Sequence, residues 1–555
     1  MRTTFIALAA VLTGTAACNH PEADVADQVY VGGVVWTGEA GAPTHEALAV
    51  RDGRVLAVGT TDDIRALAGP ATEVVELAGR SVLPGFIDAH THFVSGGFQL
   101  SSVDLRDAPT PAEFARRIGA FADGIEPGEW ITGGNWDHEL WGGELPRREW
   151  VDSLTPDNPV LVQRLDGHMA LANTLALEMG AVTSATPDPA GGAIERAADG
   201  SPAGVLKDAA MSLVGREIPA ATEAELDRAL EAAARHALSL GVTQVHDMGS
   251  WAHLETYRRA RSAGRLPLRI YSVVPMETWE RLRDFVAERG QGDDRLRWGG
   301  LKAFVDGSLG STTAWFHEPY ADDPSTSGLM TTDTAQLRRW IMESDAAGLH
   351  VIVHAIGDRA NDWLLDVYAE AAERNGPRDR RFRVEHAQHL SREALGRFGG
   401  QSVIASMQPY HAADDGRWAE KRIGPDRVRT TYAFRSLLDR AALLAFGSDW
   451  TVAPLDPLLG IDAAVTRRTL DGANPGGWIP EERITLEETL VAYTSGGAHA
   501  GYLDGVTGVL RPGAYADLVV LSRDIFSVPT EDIASLRVER TVVEGRTAYL
   551  RQEGN

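Results

Sequence analysis

The stretch GFIDAHTHF, Gly85 to Phe93, sets two histidines, His90 and His92, one residue apart at the end of an apolar run. On a β-strand side chains alternate faces with period two, so both imidazoles point the same way and Thr91 points opposite. Side by side they could clamp a metal. Taken alone, they could equally be surface or hydrogen-bonded histidines. Four more residues with suitable chemistry close later apolar runs: Lys302 in GLKAFVDG, His354 in VIVHAIGD, His386 in RVEHAQ and Asp449 in AFGSDW. Imidazole nitrogen and carboxylate oxygen are the ligands of catalytic zinc, which keeps one position open for water. Lys302 does not fit as a free ammonium, which carries no lone pair. As a carbamate formed with carbon dioxide it would supply two oxygens and could bridge two metals; its plainer reading is an ion pair with Asp306.

Bringing six such residues to one place needs a scaffold that gathers strand ends. Eight candidate strands begin at Phe86 (FIDAHTH), Val242 (VTQVHDM), Arg269 (RIYSVV), Leu301 (LKAFVDG), His350 (HVIVHAIG), Phe382 (FRVEHA), Ser402 (SVIASMQP) and Leu443 (LLAFGSD). Helical stretches such as EAELDRALEAAARHALSLG, with a stop at Gly241, and DTAQLRRWIMESDAAG fill several gaps. Strands alternating with helices predict an α/β fold, and eight of them a closed (β/α)8, TIM-like barrel over residues 85–504. All six residues then fall at C-terminal strand ends, the face on which such barrels build active sites. About residues 130–218 are too many for one barrel connection and read as an insertion after the first barrel strand.

Both ends of the chain are β-like. ALAVRDGRVLAVG carries a hairpin signal at Asp52-Gly53, and VERTVVEGRTAYL another at Glu544-Gly545. Residues 28–84 plus 505–551 are therefore expected to form one small β-sandwich domain built from both termini.

The chain has 555 residues, 44% of them hydrophobic, enough for a large core, and a formal net charge of −25. That charge argues against a nucleic-acid partner, since polyanions would be repelled. Residues 1–17 read as an export signal: Arg2, an apolar run from Phe5 to Leu12 too short to span a membrane, then small residues. Cys18, the sole cysteine, ends LTGTAAC, which resembles a bacterial lipoprotein processing box. The resemblance implies acylation of Cys18, a polar tether over 18–27, and an enzyme anchored in the bacterial cell envelope, at the periplasmic face or the cell surface.

GFIDAHTHF, GLKAFVDGSLGSTTAW, VIVHAIGDRAND, RVEHAQHL, ASMQPYH and AFGSDWTV, with the β-rich flanks and PGAYADLVVL, resemble the metal-dependent amidohydrolase superfamily. Within it they are similar to the YtcJ-like, or amidohydrolase-3, branch, which includes N-substituted formamide deformylases. The resemblance runs from about Val29 to Tyr549. It implies a divalent metal centre of one or two zinc ions: His90, His92 and Asp449 hold one, His354 and His386 the other, and carboxylated Lys302 bridges. It implies hydrolysis of a non-peptide carbon–nitrogen bond in a small-molecule substrate, an amide, formamide or cyclic amide. A metal-activated hydroxide attacks the carbonyl, and Asp449 serves as general base and then general acid. Thr451 stands where this branch commonly has proline, which bears on the eighth loop and the substrate.

Candidates for binding substrate are Trp136 and His168 in the insertion, Asp306 after Lys302, and Gln408 and His411 in MQPYH. His246 is expected to hydrogen-bond behind the site, and His350 to be structural. Hydrolysis of a lactone or other ester, or deamination of a ring, would use the same scaffold. Asp358 in HAIGD stands where a deaminase would offer a glutamate. A non-catalytic, lipid-anchored binding or regulatory protein would be marked by a missing ligand or a missing Asp449, and none is missing. A homo-oligomer is compatible with the sequence.

Overall fold

The computed structural model describes residues 25–552, so the export signal and Cys18 lie outside the described residues. Its centre is an eight-stranded parallel sheet whose strands follow one another in chain order. They are Phe86–Thr91, Val242–Met248, Arg269–Pro275, Leu296–Phe304, His350–Ala355, Arg383–His386, Ile404–Met407 and Leu443–Phe446. Their registers set the height of each site residue: Lys302 pairs with Ile352, and His354 with Glu385.

The ring nearly closes between the eighth strand and the first, and the closing contacts are made by the site's own residues. Thr91 bridges Trp450, the Asp449 N–H donates to the His90 carbonyl at 2.7 Å, and the His92 N–H donates to the Trp450 carbonyl at 2.5 Å. Buried Asp88 ties the same seam by accepting the backbone N–H groups of His90 and Ser448 at 3.1 and 2.9 Å. Burial pushes its carboxyl up to about 7.

Helices cover the strands because their apolar positions recur at helical spacing. In Glu223–Ser239 the buried side chains are Leu226, Ala229, Leu230, Ala233, Ala234, Ala237 and Leu238, one stripe of an amphipathic helix. Thr222 and Glu225 form a reciprocal capping box at its start, and Gly241, at φ +80°, follows its end.

The insertion begins earlier than residue 130. Its six-stranded sheet has Val103–Asp104 as one edge, paired in parallel with Gly133–Trp136. The helix Pro111–Ala122 packs Phe114 and Ile118 into a core that this sheet shares, away from the barrel. A two-residue strand carries no periodicity, and an amphipathic helix does not announce which sheet it will cover, so the sequence placed the boundary too late.

The two ends of the chain do meet. One four-stranded sheet is wholly N-terminal, and a five-stranded sheet joins Val34–Val35 and Ser81–Pro84 to Leu518–Leu521, Val538–Val543 and Arg546–Leu550. Residues of both sheets, among them Tyr30, Leu48, Val82, Leu518 and Val542, share one apolar cluster. The first strand is Ala26–Val31, so Ala26 and Asp27 belong to a sheet where a tether was expected. Asp52-Gly53 and Glu544-Gly545 turn their hairpins with positive φ at both residues. The turns abut: a Cβ on Gly53 would stand 2.9 Å from the Glu544 carbonyl oxygen, so only glycine fits. This unit is latched to the barrel by buried Arg269, which pairs with Asp517 at 2.6 Å and Glu544 at 3.0 Å and lies over the Tyr515 ring.

Candidate metal centre

At the C-terminal mouth of the barrel four histidines each spend one ring nitrogen on an acceptor. His90 Nδ1 donates to Glu385 in a very short bond, and His92 Nδ1 to the Met248 carbonyl at 3.1 Å. His354 Nε2 donates to the Gly307 carbonyl at 3.0 Å, and His386 Nδ1 to Gln408 Oε1 at 2.8 Å. An acceptor on one nitrogen fixes the proton there and leaves a lone pair on the other, the tautomer a metal requires. Burial favours the same neutral form. It pushes His90 down to about 4, with help from Lys302, and His354 and His386 well below the usual imidazole range.

Two of those lone pairs, on His90 and His92, face Asp449. Its Oδ1 lies 3.4 Å from His90 Nε2 and 3.2 Å from His92 Nε2, and it is buried with no hydrogen-bond partner. Burial pushes this carboxyl up, but a proton on His90, His386 or His92 would pull it down, and the balance falls well below the usual carboxylate range. A carboxylate oxygen and two imidazole nitrogens that face one another at this distance are a set a cation between them would complete. The donor set is one that zinc uses, so the residues present fit the metal the fold implies. Lys302 Nζ is 3.3 Å from His90 Nε2. Burial carries its ammonium down to about 8 against the pull of Glu385 and Asp449.

Two local conformations aim these side chains. His386 has φ +74° and Asp449 φ +59°, left-handed values uncommon outside glycine. In Arg383–His386 simple alternation would send Glu385 and His386 to opposite faces. The turn at His386 brings both toward the centre.

Glu385 is the functional residue that sequence reading missed. It is fully buried and accepts from His90, from Arg383 at 2.7 and 3.0 Å and from Ser406 at 2.8 Å. Arg383 also donates to His246 Nδ1 at 2.9 Å, placing His246 behind the site as expected. The available signal was an Arg and a Glu two apart inside an apolar strand, where unpaired charges are almost never found.

A cavity of about 640 Å³ opens over the centre, lined by His90, His92, Lys302, His354, His386 and Asp449 together with His168 and His411. Three expected substrate contacts lie elsewhere. Trp136 is fully buried in the insertion's core, where its Nε1 donates to the Val162 carbonyl at 2.8 Å and its ring meets Phe114 edge to face. Asp306 accepts the N–H groups of Trp315, Ile356 and Gly357 at 2.7, 3.0 and 2.8 Å, which ties two barrel loops together behind His354. Gln408 is buried behind His386, so it orients that ring and does not face the cavity.

His168 reaches the mouth from the insertion. Its Nδ1 is 2.6 Å from Asp208 Oδ1, and its ring centroid is 5.1 Å from that of His354. Burial pushes this imidazole down, yet Asp208 and Asp166 carry it above the usual range. The turn that bears it is fastened to the barrel by Asp166, which accepts from Ser308, Ser311 and Arg164.

The sequence profile of the amidohydrolase family (Amidohydro_3) matches residues 73–549. The chain is 42% identical to the protein LONG AFTER FAR-RED 3 of Arabidopsis thaliana, over 95% of this chain and 92% of that one. It is 32% identical to the putative amidohydrolase YtcJ of Bacillus subtilis, over 94% and 99%. With the N-substituted formamide deformylase of Arthrobacter pascens it shares 30% identity over 95% and 98%. Among solved structures, a metal-dependent hydrolase from Pyrococcus horikoshii superposes with a TM-score of 0.74 at 29% identity, over 91% of this chain and 99% of that one.

Proposed function

The chain belongs to the amidohydrolase family, and from that premise we propose that it hydrolyses a non-peptide carbon–nitrogen bond, in an amide, formamide or cyclic amide of small size. The observation that carries this reading is the convergence of His90 Nε2, His92 Nε2 and an unpartnered Asp449 oxygen beneath a cavity large enough for a small molecule. His90, His92 and Asp449 would hold one metal and His354 and His386 a second, with Lys302, carboxylated by carbon dioxide, supplying two further oxygens. Bound there, a divalent ion supplies Lewis acidity and a water acidified toward neutral pH.

The protein's own groups do the rest. Asp449, depressed and ionised, takes the proton of the attacking water at a carboxylate oxygen and returns it to the leaving nitrogen, so acid and amine leave with the protons balanced. Glu385 and Arg383 keep the His90 ring in register behind the centre. His168, fixed by Asp208, stands where it can touch the substrate from above. Phe304, Leu309, Met211 and Val452 give the cavity apolar walls that limit competing water. Ring deamination has less support, because Asp358 accepts the His317 N–H at 2.9 Å and does not line the cavity.

The test is turnover of N-substituted formamides, acyl-amino acids, cyclic imides and lactones by zinc-loaded protein lacking residues 1–18, beside Asp449→Asn. Amine release that the substitution lowers by about 10²-fold or more supports the reading. Release of alcohol from lactones alone, or activity that survives the substitution, overturns it.

A further inference from the structure

Five carboxylates line the cavity, and four of them are already committed. Asp449 faces His90 and His92, Asp208 holds His168, Asp166 accepts from Ser308, Ser311 and Arg164, and Asp414 pairs with Arg417. Asp415 is the fifth. Its Oδ2 accepts from Gln388 Nε2 at 2.7 Å and from the Tyr432 hydroxyl at 2.5 Å, while among the described residues no cation pairs with it and no donor reaches its Oδ1. Burial, with Asp414 adding to it, raises this carboxyl to about 7 against the pull of Tyr432, Arg164 and Arg417. An acceptor left open at a cavity wall is completed by what enters the cavity.

A second atom points the same way. Trp418 lines the same cavity and is 7% exposed, and its Nε1 is buried without a hydrogen-bond partner. An indole N–H only donates, so it requires an acceptor. The short helix Pro409–Asp415 carries His411 and Asp415 four residues apart, hence on one face and about 6 Å apart along its axis. His411 adjoins the metal centre, its ring parallel to that of His386 to within 10° with centroids 6.4 Å apart. Asp415 therefore stands one helical turn from the centre on the wall of the same cavity, and Trp418 follows three residues later.

We propose that Asp415 and Trp418 form the specificity end of the cavity and select a substrate whose chain, beyond the scissile bond, ends in a neutral group that both donates and accepts a hydrogen bond, a hydroxyl or a primary amide. Such a group gives its hydrogen to Asp415 Oδ1 and takes that of Trp418 Nε1. A methyl leaves both unpaired, an ammonium leaves the indole N–H unpaired, and a carboxylate is repelled by Asp415. The proposal rests on the hydrolase reading for what happens at the other end of the substrate, but not for the recognition itself.

The experiment uses the full chain, zinc-loaded, and small amides matched in length whose far end is hydroxyl, carbamoyl, methyl, ammonium or carboxylate, placed on the nitrogen side in one set and on the acyl side in another. Amine release gives kcat/KM, and equilibrium dialysis gives affinity without turnover. In one of the sets the hydroxyl or the carbamoyl member is expected to exceed the methyl member by about 10²-fold or more, and the better of the two names the group. Trp418→Phe, which keeps an aromatic wall but removes the donor, and Asp415→Ala should each bring that ratio down toward one. The ratio is the readout because a partly misfolded variant lowers both members alike. A wild-type ratio near one in both sets, an ammonium member that surpasses the hydroxyl and carbamoyl members, or a ratio unchanged by both substitutions would overturn the proposal. Absence of amine release from every member would sink the hydrolase reading instead, and the dialysis ratios would still decide the proposal.

Discussion

Glu385 illustrates how much of the centre lies behind its ligands. It touches no space that substrate can enter, yet its bond to His90 Nδ1 decides which nitrogen of His90 carries the proton. Replacing it by glutamine keeps an oxygen in place but removes the charge that sharpens the basicity of His90 Nε2. Glu385→Gln is therefore expected to weaken zinc binding about 10- to 100-fold, read by competition with a chromophoric chelator. Unchanged affinity would mean that Glu385 serves only to neutralise Arg383. The sequence made the histidines visible because they end apolar runs. Glu385 was hidden because a carboxylate beside a histidine on a strand is expected on the opposite face, and the left-handed turn at His386 that defeats this expectation has no composition of its own. Gln408 and Asp306 were misplaced for a related reason. Their polarity identified them as part of the site's neighbourhood, but whether a polar group faces the cavity or the back of a ligand depends on rotations that spacing does not encode.

At the scale of elements, the strands were legible and the insertion was not. The barrel strands are short and mostly buried along their length, as in Val242–Met248 and His350–Ala355, and such runs keep their pattern whatever surrounds them. The insertion's edge strand Val103–Asp104 and the direction of the helix Pro111–Ala122 depend on tertiary partners. Trp136 shows the consequence. An aromatic among polar neighbours reads as a pocket wall, while in the fold it is the centre of a core with Phe114, Val162 and Met169. Removing it should destabilise the insertion. Trp136→Ala is expected to cost roughly 3–5 kcal/mol, the range for large-to-small changes of buried aromatic residues. Denaturant unfolding of the zinc-loaded protein checks the magnitude. Metal content at low denaturant should stay at the wild-type level, because no ligand comes from this core, whereas a Trp136 that met substrate would leave stability nearly untouched and change KM.

Across the whole molecule, buried histidines that take no part in the centre contribute to how the fold answers acid. His389 is fully buried; its Nδ1 donates to Thr431 Oγ1 at 2.8 Å and its Nε2 accepts from Gln388 at 3.1 Å, so a second proton has no acceptor. Burial, with Arg427 adding to it, pushes this imidazole down to about 3, and burial does the same to His350. Asp88, Asp306 and Asp415, raised to about 7 by burial, act in the opposite sense, since they take up protons in the folded state first. The net acid response is thus a sum of opposing groups, and one group is isolated only by difference. For His389 the sign is fixed: the unfolded chain binds its proton near pH 6.5 and the folded protein near 3, so folding stability from this residue is complete above 6.5 and declines as pH falls. His389→Gln should destabilise the protein at pH 7 through its lost bonds. That deficit should then shrink by about 1.4 kcal/mol for each pH unit below 6.5, as the wild type loses stability that the variant never had. Urea unfolding at pH 7, 6 and 5 measures the deficit directly, and a gap that stays constant across the three would show that His389 is protonated equally in both states.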